Sequence, residues 1–272
     1  MRLVVGLVAA SHPVPTAVVT VLAVVLAVGA GAPAATVVLV GCAVLAGQLS
    51  VGLSNDWLDA ARDRAVSRRD KPVVSGAVSP EQVRAAAIGA AAVCAVASWA
   101  TGAVPGTLHV VAVASAWGYN LGLKRTAASW VPYAVSFGLL PAFLVLAAGG
   151  TPPPALVATG SLLGVGAHVA NVLPDLDDDA ATGVRGLPHR LGRRGSSVLA
   201  PALLAGGAGV AVAGLPGRSA LVLGCAAVAV LLALAAGVVA LVRPASRAPF
   251  ALSMGVAVVA VGLLVTAGGR LA

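Results

Sequence analysis

Long apolar runs, separated by short polar or Gly- and Pro-rich breaks, organise the chain. Taking charges, Pro/Gly clusters and polar residues as punctuation gives about nine runs: 14–30, 35–54, 83–101, 105–119, 130–148, 155–173, 198–214, 219–241 and 249–267. A bilayer core of about 30 Å takes roughly 20 helical residues to cross, and the runs are of that order. Lipid offers no hydrogen-bond partners, so spanning segments must be helices or a closed barrel. Barrel strands would alternate polar and apolar residues, and these runs do not. The pattern therefore predicts an all-α, polytopic membrane bundle of about nine transmembrane helices, forming a single domain over 1–272. The opening segment, Arg2–Ala10, has some look of a signal peptide. However, His12-Pro13 leads straight into the next apolar run, which argues against that reading.

Composition agrees. Hydrophobic residues make up 59% of the chain and charged residues only 10%, too few to maintain a water-soluble surface. Cys42, Cys94 and Cys225 are odd in number and each lies within an apolar run, so no disulfide framework is expected. A net charge of +8 could indicate nucleic acid or anionic lipid. Its distribution points to topology instead. With nine spans, Arg2, Arg62, Arg64, Arg68, Arg69, Lys71, Arg84, Lys124, Arg125, Arg185, Arg190, Arg193, Arg194, Arg243 and Arg247 fall on one side, and only Arg218 and Arg270 on the other. By the positive-inside rule the basic side is cytoplasmic. The expectation is a multi-pass cell-membrane protein in contact with membrane lipid, with no nucleic-acid partner.

The acids are more concentrated still. Asp56, Asp59, Asp63 and Asp70 follow the second run, and Asp175, Asp177, Asp178 and Asp179 follow the sixth; Glu81 alone lies elsewhere. The two segments align without gaps as a repeat, NDWLDAARDRAVSRRDKPVVSG from Asn55 on NVLPDLDDDAATGVRGLPHRLG from Asn171. Asn55 meets Asn171, Asp59 meets Asp175 and Asp63 meets Asp179, followed by Arg69 with Arg185, Pro72 with Pro188 and Gly76 with Gly192. Four spans separate the copies, so the repeat is parallel and suggests two half-sites facing one cavity.

In each copy Asn, Asp and Asp recur every fourth residue, which on a helix forms a ladder of oxygen donors with rungs about 6 Å apart. Hard oxygen donors suit Mg²⁺, which commonly shares its shell with substrate phosphates. Two facing ladders would repel, so a cation between them would explain their coexistence. Basic residues follow each ladder (Arg62, Arg68, Arg69 and Lys71, then Arg185 and Arg190), and Lys124-Arg125 adds a third basic point. Metal and guanidinium groups together could stabilise a departing diphosphate, while the apolar bundle would shield a carbocation from water.

NDWLDAARD resembles the first aspartate motif, N-D-x-x-D-x-x-x-D, of the UbiA superfamily of intramembrane prenyltransferases. DKPVVSG resembles that family's basic-Pro segment, and DLDDD its second motif, D-x-x-x-D, carried by Asp175 and Asp179. The resemblance spans nearly the whole chain. It implies a transmembrane prenyltransferase-like domain with cytoplasmic motif loops at about 54–82 and 174–197, and Mg²⁺-dependent cleavage of an isoprenyl diphosphate. Residue by residue, it implies that Asn55, Asp56, Asp59 and Asp63 hold one metal and Asn171, Asp175 and Asp179 the other, with Asp59, Asp63, Asp175 and Asp179 catalytic. Arg69, Lys71, Tyr119, Lys124 and Arg185 would bind the diphosphate. Transfer to a lipophilic, typically aromatic, acceptor follows as the expected reaction. Cyclisation of the prenyl chain to a terpene is an alternative, as is, in a different class, a membrane transporter.

Ordinary roles are expected for the remaining residues. Asp177 and Asp178 should face water, Asp70 should pair with Lys71 or an arginine, and Arg193, Arg194, Arg243 and Arg247 should anchor at lipid headgroups. Trp57 is expected to line the prenyl tunnel or anchor at the interface. His168 shares a helical face with Asn171 and could point into the chamber, although packing or a hydrogen bond would also explain it. His12, His109 and His189 carry no local pattern.

Overall fold

The computed structural model describes residues 2–65, 68, 71–215 and 217–266. Among them every regular element is helical: α1 (Arg2–Ala10), α2 (Pro13–Gly29), α3 (Ala34–Ala65), α4 (Pro80–Ala100), α5 (Ala103–Leu121), α6 (Val131–Ala147), α7 (Pro154–Val172), α8 (Leu176–Ala181), α9 (Leu187–Ala213), α10 (Ala220–Val242) and α11 (Ala248–Thr266). Short 3₁₀ turns occupy Leu123–Arg125 and Leu173–Asp175.

Local chemistry marks the boundaries. Proline, whose missing N–H costs nothing in a first turn, opens α2, α4, α6, α7 and α9. Helix α4 adds a capping box, in which Ser79 Oγ accepts from Gln82 N–H (3.2 Å) and Ser79 N–H donates to Gln82 Oε1 (2.9 Å). Gly31 and Gly149, with φ of 77° and 86°, turn the chain after α2 and α6.

Consecutive long helices pack side by side, and α11 returns to α2, closing the bundle into a ring. Its outer surface is apolar: Val28, Val96 and Leu231 are exposed as a lipid-facing surface requires. Inside, Leu26, Val40, Val44, Phe143 and Leu144 join α2, α3 and α6 in one core, while Leu53, Val73, Val78 and Val83 form another beside the first motif. Small residues permit close approach: a Cβ on Gly52 would stand 2.4 Å from the Ser11 carbonyl oxygen, so α3 presses against the break between α1 and α2.

Each expected run corresponds to one of the long helices, but not all meet a spanning criterion. Six described helices are long and apolar enough to cross a membrane, or seven if α1 and α2, bent by 69°, count as one span. Helix α6 has only 17 residues. The protein is thus a multi-pass, all-helical membrane protein, with fewer clear spans than the nine expected. Two boundaries also move. Helix α3 continues to Ala65 and carries its whole motif as helix. Helix α9 begins at Leu187 and kinks at Gly192 (φ 68°, ψ 176°), where Ser196 Oγ donates to the Pro188 carbonyl at 3.0 Å. Gly76 and Gly192, paired by the repeat, both adopt positive φ (77° and 68°), which accounts for glycine at both positions.

Candidate active site

The two copies share spacing but not conformation. Asn55, Asp59 and Asp63 ride one face of the unbroken α3. In the second copy α7 ends at Val172, Leu173–Asp175 forms a 3₁₀ turn, and α8 starts at Leu176. Pro174, which has no N–H to donate, falls in this tighter turn, so the second copy lies on one helical run of 28 residues, Pro154–Ala181, that is interrupted by a 3₁₀ turn between Asn171 and Asp179. The expectation of identical ladders is corrected to one regular ladder and one whose pitch changes midway.

The copies nonetheless meet, and Arg62 joins them. Its Nη2 donates to Asp59 Oδ2 at 3.0 Å and lies 3.5 Å from Asp63 Oδ1, while its Nη1 stands 3.6 Å from Asp179 Oδ1. The countercharge demanded by repulsion between the copies is thus supplied by this guanidinium. Lys124 donates to the other oxygen of Asp59 and is itself buried. Burial pushes the Lys124 ammonium below its ordinary pKa, and the adjoining Asp59 carboxylate opposes that shift. The Asn55 amide donates to Asp59 Oδ2 (3.1 Å) and to Asn120 Oδ1 (3.3 Å), and Asn120 is anchored on α3 through Ser54 Oγ and the Val51 carbonyl.

Asp56 looks elsewhere. One residue round the helix, about 100° away, it accepts from Lys71 Nζ at 2.6 Å and lies 3.1 Å from His12 Nε2. His12 is the one described non-glycine residue with positive φ (55°), at the break between α1 and α2. Asp56, Lys71 and His12 therefore form a second polar cluster, opening on a cleft of about 290 Å³ also lined by Arg68 and Arg247.

Around the second copy, Asp179 Oδ2 lies 3.6 Å from His189 Nε2, and Asp175 Oδ1 lies 3.6 Å from Arg247. Arg193 donates to the Leu173 and Pro244 carbonyls (3.0 and 3.1 Å) and to Asp177 (3.3 Å). Arg193 and Arg247, expected at lipid headgroups, thus also contact the motif segment, and Arg247 is 65% exposed. Asp177 is 95% exposed and, like Asp178, faces outward as expected. Trp57 packs under the Arg84 guanidinium (5.4 Å) beside the Val83 core instead of lining a tunnel.

Tyr119 packs edge-on to Tyr133 (5.2 Å) and His168 (5.4 Å), and Tyr133 stacks on His168 at 4.4 Å. Arg185 is exposed, with its carbonyl accepting from Arg190 Nε at 3.3 Å. Arg69 and Asp70 lie outside the described residues.

Several participants were not singled out by the sequence. Arg62 stood among the basic residues expected after the first ladder, with nothing to mark it as the residue that joins the two copies. His12, His189 and Asn120 reach the motifs from 44, 10 and 65 residues away respectively, through contacts with Asp56, Asp179 and Asn55. Asn120, a lone amide closing an apolar run, was the most detectable. Among the described residues no three His, Cys, Asp or Glu side chains gather as a ready-made metal centre. The donor set is nonetheless one that a hard divalent cation accepts: carboxylates and amides, with oxygens from both copies drawn to one arginine.

Fold and site together define a membrane helical bundle in which two aspartate motifs meet at one end. The model of the UbiA prenyltransferase family matches residues 16–266, so the chain belongs to that family. Similar solved structures include the apo form of a UbiA homologue from Aeropyrum pernix K1 (21% identity, 92% of this chain and 97% of that one, TM-score 0.77). Another is a UbiA homologue from Archaeoglobus fulgidus bound to DMAPP and Mg²⁺ (15% identity, 98% of each chain, TM-score 0.74). A third is a digeranylgeranylglyceryl phosphate synthase (15% identity, 98% of each chain, TM-score 0.68). At these identities the likeness establishes the fold. No curated protein matches the chain.

Proposed function

We propose that the protein transfers the prenyl group of an isoprenyl diphosphate to a lipophilic acceptor, with Mg²⁺ as cofactor. The observation that carries this reading is the meeting of both aspartate motifs on Arg62. Family membership supports it, as does the similar Archaeoglobus fulgidus fold solved with DMAPP and Mg²⁺. Asn55, Asp59 and Asp63 from the first copy, and Asn171, Asp175 and Asp179 from the second, would hold the metal. When bound, Mg²⁺ would neutralise diphosphate oxygens as the allylic C–O bond breaks.

This chain's own residues supply the rest. Arg62 and Lys124, both paired with Asp59, would take diphosphate oxygens. Asp56 holds Lys71 at the edge of the same site, so its part is to position that ammonium and not to share the first metal's face. Tyr119, with Tyr133 and His168 packed against it, begins an apolar wall that excludes water from the cation. Arg69 and Arg185 complete the proposed diphosphate contacts, at the rim. The site faces the cytoplasm in this reading, following the excess of basic residues in the loops on that side.

The test is product identification with purified protein, Mg²⁺ and a series of prenyl diphosphates, with and without phenolic and isoprenoid-glycerol acceptors. Prenylated acceptor is the expected product. A cyclised hydrocarbon formed without acceptor would assign a terpene cyclase. Uptake of labelled Mg²⁺ or diphosphate into proteoliposomes, with no chemical turnover, would assign a transporter.

A further inference from the structure

The proposed reaction does not use the cleft of about 290 Å³ at the break between α1 and α2. Its polar lining is His12, Arg68, Lys71 and Arg247, and among the described residues no Asp or Glu lines it. These side chains come from three separate segments: the α1–α2 break, the α3–α4 connection and the residue before α11. Two of them are paired with carboxylates outside the lining, Lys71 with Asp56 at 2.6 Å and Arg247 with Asp175 at 3.6 Å. An ammonium carries three N–H donors and a guanidinium five, so one carboxylate each leaves donors for an anion.

The apolar side of the cleft belongs to α1 and the start of α2. Ala9 and Val14, exposed residues on either side of the break, both line it. Helix α1 is bent by 69° from α2, so the two cannot share one direction through a bilayer. One face of α1 packs inward: Ala10 joins the core of Leu53 and Val78, and a Cβ on Gly6 would stand 2.5 Å from Val78 Cγ1. The other face leaves Leu3, Val4, Val5 and Val8 exposed. A helix that lies across the end of a membrane bundle with such a face seats it at the boundary of headgroups and acyl chains. The cleft therefore opens where phospholipid headgroups lie.

We propose that this cleft binds the phosphate of one anionic glycerophospholipid, at a site separate from that of the prenyl diphosphate. A tetrahedral phosphate presents oxygens in several directions, as cations from separate segments require, whereas a planar carboxylate presents only two. Basic pockets between helices at a membrane surface recognise headgroups of this kind. The acyl chains run past Val14 and the exposed face of α1. The bound headgroup links Lys71, which holds Asp56, to Arg247, which stands beside Asp175, and so braces the segments of both motifs from outside the metal ligands. This site does not depend on which reaction the bundle performs.

Native mass spectrometry of the full chain in detergent, titrated with phosphatidylglycerol or phosphatidylcholine, counts the bound lipid. One retained phosphatidylglycerol is expected, bound about tenfold tighter than phosphatidylcholine, whose headgroup carries a compensating cation. Arg247→Gln removes a cation, and Val14→Trp fills the cleft without changing charge. Each should weaken phosphatidylglycerol binding by about fivefold, the scale of one basic side chain at an anionic headgroup. Arg194→Gln removes an exposed arginine of α9 outside the cleft and should stay within about twofold of wild type. The two cleft variants act by different means at exposed positions, so misfolding of one leaves the other as the test. No retained lipid, or equal binding of both lipids, would overturn the proposal. So would equal weakening by Arg194→Gln and Arg247→Gln, which would mean a diffuse surface charge, or undiminished binding by Val14→Trp, which would put the lipid elsewhere. Displacement of the lipid by inorganic phosphate would assign the cleft to a soluble anion, and displacement by geranyl diphosphate with Mg²⁺ would merge it with the reaction site; either result contradicts a separate lipid site.

Discussion

The two aspartate motifs align residue for residue, yet they sit in different physical surroundings. Asp56, Asp59 and Asp63 are buried to 2–3% exposure on a continuous helix, each held by a lysine or arginine. The second motif lies on a helical run interrupted by a 3₁₀ turn, where the side chains of Asp175 and Asp179 are 29% and 21% exposed. Sequence spacing sets which residues can converge; the packing around them sets what their charges cost. The first copy is enclosed by α1, α4 and α5 and needs internal countercharges. The second is partly open to water, and its pairs with Arg62, His189 and Arg247 are longer, at 3.6 Å each. The first motif is therefore built into the packing of the bundle, and the second is tied to it less tightly.

The sharpest test of that contrast is Asp59→Ala. It should lower prenyl transfer by about 100- to 1,000-fold, the scale of losing one electrostatic stabiliser. It should also destabilise the fold by about 3–5 kcal/mol, because it leaves the buried Lys124 without its partner. Thermal melts of the single variants and of Asp59→Ala/Lys124→Ala measure this, with the double variant expected to melt above Asp59→Ala. Asp179→Ala should reduce transfer by about 100-fold but cost under about 1 kcal/mol, since its pairs are partly solvated. Equal melting losses for Asp59→Ala and Asp179→Ala would break the comparison.

Pro174→Ala probes the 3₁₀ turn directly. Allowing α7 to run on would rotate Asp179 away from Arg62, and transfer should fall about 10- to 100-fold, as small misplacements do, with little change in melting temperature. Gly192→Ala forces a side chain into the left-handed region and should cost about 1–2 kcal/mol, read as a melting shift with kcat unchanged. Asp177→Ala should leave transfer within about twofold of wild type, because its pair with Arg193 is at the surface.

Much of this arrangement was readable in the sequence. Apolar run lengths gave the helices, and the ungapped repeat gave both motifs and the pairing of Gly76 with Gly192. The local periodic signal failed where tertiary contacts decide. Helix α3 extends past 54 because its polar rungs are buried by neighbours, something hydropathy alone cannot show. Pro174 was visible in the second copy, but the repeat's regular spacing concealed the tighter turn it falls in. Arg62 was expected beside the first ladder, but its bridge to Asp179 was not visible locally, and His12, Asn120, Ser129 and His189 reach the site through contacts across the fold. Tyr133 and His168 meet across 35 residues, and Tyr119 reaches His168 across 49, so no local pattern shows their contact.

The measurement closest to the central claim, that two unlike motifs form one ionisation site, is Mg²⁺-dependent diphosphate release from geranyl diphosphate by wild type, Asp59→Ala and Asp175→Ala. Release that requires Mg²⁺ in the wild type and is lost in both variants, with Asp175→Ala still melting like wild type, is the expected result. Undiminished release by folded Asp175→Ala would contradict it, since the first motif would then act alone.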